Sequence, residues 1–431
     1  MKRLYFSLLL FISILLYTNC PLFLNQKPYN KETDNEEPTY NIPVIWKSDV
    51  ARPFTNLMIY DETGVYIYSY EEGNFAKVKL NRIDSKNGDI IWSTPFFEND
   101  IQWCQPLVVG DYIYVFIVGN LILCFNKESG IETARARFID KNKEMLVYSD
   151  YYLYDDYLYF GFGDSYIRDH YLARFNTNLI INNNNLQEQL FEPELLWKSH
   201  YDSRIRSRPI VYNDIVYCNT ITLNLNIPIE IAGIDINTKE EVFYDSIGGD
   251  GFYIFEGGSE RNSFYIKNNT LYFLSQSIAS YDLNNYKKLY HIIFDINTPR
   301  IQNYGAGGFL EATFYKDNIY YTTNAGNVFG EKDIRNIFCI NKDNGKLVWS
   351  AIAKKSEGLG TNPIIYDNKV FIPHMNGIRV YNADNGDLIG VEKSIECGST
   401  CINQLYGSTM ITEMYDPEFP GWRIAAFDLS K

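Results

Sequence analysis

Histidine, methionine, tryptophan and cysteine are all scarce here: the 431 residues hold 4 His, 6 Met, 6 Trp and 7 Cys. The histidines, His170, His200, His291 and His374, are scattered. None has the short spacing of a metal-ligand pair, and no Ser/His/Asp order points to a nucleophilic triad. No two cysteines are adjacent. The Gly-rich "GAGG" at 305–308 lacks the lysine and serine of a phosphate loop and reads as a plain loop. "YDDY" at 154–157 reads as a solvated turn, although acids that converge at a mouth could act as acid and base. Positive charge is in deficit, with 39 Lys and Arg against 53 Asp and Glu and a net charge of −14. Such a chain repels phosphate backbones and anionic lipid surfaces, which argues against nucleic-acid binding.

What the chain does have is tyrosine, 36 copies, and 16% aromatic residues, a composition that favours strands. It starts "MKRLYFSLLLFISILLYTNC". Lys2 and Arg3 form a basic n-region, and the apolar run Leu4–Leu16 is too short for a comfortable membrane span. This is the pattern of a cleaved export signal over 1–19. "LLYTNC" resembles a bacterial lipoprotein box, which implies lipidation of Cys20. Attached acyl chains would hold a soluble domain at a membrane surface. An ordinary signal with an incidental cysteine is the other reading. Residues 20–41 are polar and Pro-bearing and read as a flexible tether. The expected location is outside the cytoplasm of a bacterium, on the periplasmic or cell-surface side.

The rest repeats. "RIDSKNGDIIW" and "CINKDNGKLVW" share a frame in which Asp or Asn is followed eight positions later by Trp: Asp84 to Trp92 and Asn341 to Trp349. Further copies start at Asn126, Asn176, Asp235, Asp282, Asn382 and Asp428, the Asn176 copy being swollen by "INNNNLQEQ". A turn followed by an apolar–aromatic pair precedes each marker, at Tyr66, Tyr114, Tyr159, Tyr217, Tyr272, Tyr320, Phe371 and, degraded, Met410. The unit is strand, turn, aromatic strand, loop, strand, tight turn, strand. "DNG" within it is a hairpin turn, with Gly supplying a positive φ that Asp and Asn also tolerate. A calcium loop would need about six oxygen ligands at set spacing, and the other copies replace these residues.

Sheets of this size bury both faces only by stacking radially. The predicted fold is all-β: an eight-bladed β-propeller of four-stranded antiparallel blades over 42–431. Trp92, Trp197 and Trp349 should lie on fourth strands and pack against the next blade. The last copy ends at Lys431 without a fourth strand, while "IPVIWKSDV" at 42–50 resembles a fourth strand with nothing before it. The N-terminal strand should therefore complete the last blade and close the ring.

The unit "IFCINKDNGKLVW" resembles the quinoprotein-type (PQQ-like) propeller repeat. The resemblance spans nearly all of 42–431 and is strongest at Asp84–Trp92 and Asn341–Trp349. It implies one of two roles. One group of the family consists of quinone-dependent dehydrogenases, whose alcohol-oxidising members clamp the quinone with adjacent cysteines and bind calcium. The other consists of non-enzymatic scaffold lipoproteins of the BamB-type, which serve outer-membrane assembly. Lipobox, length, blade count and closure are most like the second group. The expectation is a monomeric, non-enzymatic scaffold without cofactor or metal, bound to envelope proteins such as an outer-membrane barrel assembly factor. A quinone-dependent dehydrogenase-like protein, or a carbohydrate- or solute-binding propeller, is the alternative.

Cys124 and Cys339 share one repeat position and read as core thiols. Cys397 and Cys401, in "ECGSTC", could form a small-loop disulfide. Three stretches are candidates for partner binding. "YDSRIRSRP" places Arg204, Arg206 and Arg208 at alternate positions, where they could anchor carboxylates or only guard a strand edge. "GDGFYIFEGGSERN" offers Phe252, Tyr253 and Phe255, and "EMYDPEFPGWR" offers Tyr415, Phe419 and Trp422. Exposed aromatics of this kind serve as interface anchors; packing beneath the loop is the other reading.

Overall fold

The structure is a computed structural model. It describes residues 37–431 except 51–52, 54–56, 72–73, 100, 102–103, 140–144, 148, 165–168, 182–185, 202, 206, 222–227, 248–263, 275–276, 294–311, 323–336, 352–361, 375, 399–402 and 419–420. The chain divides into Met1–Pro38 and Thr39–Lys431, and all that follows concerns the second unit.

Eight small antiparallel sheets follow one another as eight blades of a propeller. Blade 1 is typical, with strands Ile59–Asp61, Gly64–Glu71, Asn74–Ile83 and Ile90–Ser93 paired in chain order. The aromatic signature marks the second strand throughout. Tyr66, Tyr114, Tyr159, Tyr217, Tyr272, Tyr320, Phe371 and Met410 all lie there, each at most 2% exposed. Burying one such ring contributes roughly 2–3 kcal/mol, so the series is a main source of the core.

The ring closes as expected. Val44–Lys47 pairs antiparallel with Gly421–Asp428, with Val44 opposite Phe427 and Lys47 opposite Ala425. The backbone N–H of Asp428 donates to Pro43 O at 2.9 Å and that of Ser48 to Ile424 O at 2.9 Å. Trp46, on this closing strand, is 6% exposed.

The tight turns are hairpin turns, by a different mechanism from the one expected. All eight marker residues accept a backbone N–H two residues ahead through Oδ1. Asn341 accepts from Asp343 and Asn344, and Asp84 accepts from Lys86 at 2.7 Å. The same bond recurs at Asn126, Asn176, Asp235, Asp282, Asn382 and Asp428. Asp and Asn are thus chosen as short acceptors that cap the loop. In "DNG" only Gly345 takes a positive φ, 69°; Asp343 and Asn344 do not. Asp and Asn do take positive φ in the two-residue turns between first and second strands, as at Asn213–Asp214 and Asp367–Asn368, the pattern of a type I′ hairpin.

The turn glycine has a second reason to be glycine. A Cβ on Gly386 would lie 2.6 Å from the Trp349 ring of blade 6, and one on Gly88 would lie 2.7 Å from Trp46. Each indole N–H donates to the carbonyl one residue past the next blade's marker: Trp46 to Ser85 at 2.9 Å, Trp92 to Lys127 at 3.1 Å and Trp349 to Ala383 at 2.8 Å. The fourth-strand tryptophan therefore docks on the next blade's turn. Where Tyr286 replaces the glycine, Phe243 of blade 4 stacks on its ring at 5.4 Å.

Two segments add to this plan. The swollen turn after Asn176 forms a short helix, Asn178–Ile181, then a strand, Gln189–Phe191, that pairs parallel with the outer strand Glu132–Phe138 of blade 2. Arg137 clamps Glu188 there through Nε at 2.6 Å and Nη2 at 3.0 Å. At the other end of the chain, Thr39 bridges Val391 of blade 7 in parallel, and Tyr40 N donates to Val391 O at 3.0 Å.

Candidate functional site

The meander gives the ring two unlike ends. Turns joining first to second and third to fourth strands gather at one, the turn end. Connections between second and third strands, and the crossovers between blades, gather at the other, the loop end. Arg204, Arg208, Tyr415 and Trp422 belong to loop-end connections or the strand ends beside them. The segment 248–263 with Phe252, Tyr253 and Phe255 joins strands of blades 4 and 5 whose ends also meet there. Those three residues, like Cys20, Arg206, Cys401 and Phe419, lie outside the described residues.

The crossover from blade 3 to blade 4 carries a polar cluster at the loop end. It starts at Trp197, whose indole N–H donates to Glu241 Oε2 at 2.9 Å instead of to a turn carbonyl. The same oxygen lies 2.7 Å from His200 Nε2. Glu230 is fully buried beneath and accepts the His200 backbone N–H at 2.9 Å through Oε1, while its Oε2 is buried without a hydrogen bond. Burial raises the Glu230 pKa, and the N–H of His200 and the Thr220 hydroxyl oppose that rise. Burial of a carboxylate is tolerated here because it holds the first turn of the crossover.

Arg204 follows in a two-residue strand, Arg204–Ile205, opposite Ile221 and Thr220. Ser207 is buried and bonded to Asn219, so the strand breaks before Ile210–Tyr212 resumes. Arg204 and Arg208 are therefore not on one uninterrupted strand. Arg208 reaches inward, with its guanidinium 5.4 Å from the centre of the Tyr152 ring of blade 3, a cation–π distance. Its side chain lines a small cavity with Asp150 and Tyr151 of blade 3, Gln105 and Leu107 of blade 2 and Ile59 of blade 1. Inner strands of four successive blades share a cavity only at the ring axis. Gln105 is fixed by donating to Met58 O at 3.0 Å.

The sequence reading missed Gln105 and Asp150. A signal was present: Gln105, Asp150, Arg208, Glu311 and Asn362 all stand two residues before the first strand of their unit. Asn362 there makes a reciprocal pair with Asn403 of blade 8, whose N–H donates to Asn362 Oδ1 at 2.7 Å. Asn403 Nδ2 donates to Asn362 O at 2.8 Å, and Thr412 donates to Asn403 Oδ1 at 2.6 Å.

On blade 8, Tyr415 and Trp422 are directly opposite in register, with rings 5.5 Å apart and edge-on. Tyr415 is 39% exposed. Between them the buried Asp416 accepts from Lys47 of the closing strand at 3.0 Å, and that bond lowers its pKa. Cys124 and Cys339 are fully buried at equivalent third-strand positions; burial pushes their thiols up to about 11 and about 12. Cys397 is buried in the short strand Glu396–Cys397. Among the described residues no three His, Cys, Asp or Glu side chains are placed to hold a metal ion.

No family model and no curated protein matches this chain. Solved structures do. A europium-containing methanol dehydrogenase aligns with a TM-score of 0.62 at 10% identity, over 90% of this chain and 93% of that one. BamB from Moraxella catarrhalis aligns with a TM-score of 0.56 at 11% identity, over 90% of this chain and 98% of that one. The fold is an eight-bladed β-propeller of the kind these structures share. The computationally designed Ika8 protein is also similar, with a TM-score of 0.56 at 10% identity. At these identities the likeness concerns the fold, which hosts both enzymes and non-enzymes.

Proposed function

We propose that this protein is a membrane-anchored, non-enzymatic propeller scaffold that docks envelope proteins on its loop end. The reading is supported most by the contrast between the ends. At the turn end the repeated acceptors are occupied by their own loops. At the loop end the blade 3–4 crossover presents Tyr201, 42% exposed, with His200 and Arg204, and blade 8 presents the Tyr415–Trp422 pair. Tyr and Arg in a protein of net charge −14 suit a partner surface bearing carboxylates. The lipobox resemblance at Cys20 supplies the anchor, and the similarity to BamB makes an outer-membrane barrel assembly factor the first partner to seek.

The quinone-dependent reading is favoured by the likeness to a methanol dehydrogenase. As described, the axial cavity between Asp150 and Arg208 has room only for a group the size of water. No redox step is derived through this cavity.

The test is recovery of the full-length lipidated protein from gently solubilised envelopes, with mass spectrometry of what accompanies it. A stoichiometric barrel-type partner is expected, and Arg204→Glu with Arg206→Glu should cut its recovery at least about fivefold without changing the melting curve. A protein recovered alone would sink the scaffold reading. Unchanged recovery with the double variant would remove the crossover from the interface.

A further inference from the structure

Glu230 holds the blade 3–4 crossover from below. It lies fully buried on the third strand of blade 4, Ile229–Asp235. Its Oε1 accepts the His200 N–H at 2.9 Å, and its Oε2 is buried without a hydrogen bond. A carboxyl so enclosed and so sparsely bonded is better accommodated neutral than charged. From the crossover it faces His200 and Tyr201, from the second strand of blade 4 Cys218 and Thr220, and from the outer strand Tyr244. Among these only His200 can carry positive charge, and its imidazole is held by a different acid, Glu241, at 2.7 Å.

What Glu230 holds is a short span between two fixed points. The Ser199 N–H donates to His170 O of blade 3 at 3.0 Å, and the chain joins the blade 4 sheet at Arg204–Ile205, opposite Ile221 and Thr220. Between these points two carboxylates of blade 4 tie the turn down, Glu230 through the backbone of His200 and Glu241 through its imidazole. His200 and Tyr201 are both exposed. Lifting their turn therefore gives up little buried surface, and it brings water to Glu230.

We propose that Glu230 is a proton-operated latch for the blade 3–4 crossover: protonated, it keeps the His200–Tyr201 turn seated, and ionised, it draws in water and releases the turn. The neutral acid is favoured in the dry, seated arrangement and the carboxylate in the lifted one. The seated turn is therefore complete at low pH and is lost as pH rises through the titration of Glu230. Burial raises the Glu230 pKa in the seated structure, which is the direction the latch requires. A proton on His200 would strengthen its contact with Glu241 and hold the same turn, so the two groups have to be separated by substitution. Tyr201 rides on this turn, and its release would change what the loop end presents. That consequence rests on the scaffold reading; the latch itself does not.

The test is amide hydrogen exchange of the full chain, with no partner added, each rate being divided by the intrinsic rate at the same pH. Opening at Ser199, His200 and Tyr201 should rise about tenfold between about pH 5 and about pH 8. Opening of the strand Lys369–His374 in blade 7 should stay constant. Glu230→Gln keeps an acceptor for the His200 N–H, so it should remove the pH dependence and leave the turn seated. His200→Gln should leave the dependence in place. Melting curves check that both variants fold. Opening that does not change with pH in the parent overturns the proposal. So does a dependence that survives in Glu230→Gln, or one that disappears in His200→Gln, which would assign the latch to the imidazole.

Discussion

The two ends of this ring are built by different rules. At the turn end one solution recurs in every blade: an Asp or Asn marker caps its own loop through Oδ1. In blades 1, 2, 5, 6 and 7 a glycine or its replacement then receives the ring from the preceding blade. At the loop end the crossover before blade 4 holds a buried carboxylate and that before blade 8 a reciprocal asparagine pair. One end is repetitive because packing imposes the same demand at every blade. The other varies because its connections answer to no shared neighbour, the usual setting for binding residues.

The contrast can be broken most sharply at the closing seam. Trp46→Ala removes the ring that joins blade 8 to blade 1 and should cost about 3–5 kcal/mol in urea unfolding. Arg204→Glu, at the other end, should change stability by less than about 1 kcal/mol. Equal losses would mean that the loop end is as structural as the turn end.

Gly386→Ala comes next. It forces a side chain into a φ of +76° and into the Trp349 ring, and should cost about 2 kcal/mol. Gly407 also has a positive φ, 57°, but an added Cβ there meets no atom within 4 Å. Gly407→Ala should lose only the backbone part, about 1 kcal/mol. The difference between the two unfolding midpoints isolates the docking contact; no difference would deny it.

The smallest effect is at the loop end. The folded-state pKa of Glu230 is raised above its unfolded value, so the folded state holds its proton to higher pH. Stability from this group is full below the unfolded value and is lost as pH rises through the folded one. Glu230→Gln keeps an acceptor for the His200 N–H and removes the buried charge. Its melting temperature should exceed that of the parent by about 2 °C at pH 7, with the gap closing towards pH 4. A gap independent of pH would show that Glu230 is not the source.

Legibility followed the same division. The tyrosine series, the eight markers and the orphan strand at 42–50 were readable because each is a local pattern repeated in register. The parallel strand Gln189–Phe191 was not readable, because "INNNNLQEQLF" carries no periodicity and its partner lies in the previous blade. Trp197 was placed on a fourth strand packed against the next blade, as expected. Its bond to Glu241 was hidden, because the swollen turn moves the ring out of the frame that Trp92 and Trp349 keep. The arginine run looked like one strand face; the buried Ser207 interrupts it and sends Arg208 to the axis.

The sequence by itself determined the number of blades, the order of strands in each, the closing partner and the turn residues. Those follow from hydrogen bonds and ring contacts that repeat at fixed offsets along the chain. Only the tertiary structure decided that Gln105, Asp150 and Arg208 line one cavity and that one carboxylate serves both Trp197 and His200. Each of these depends on residues from different blades, which the curvature of the closed ring brings into contact and which no spacing in the chain encodes.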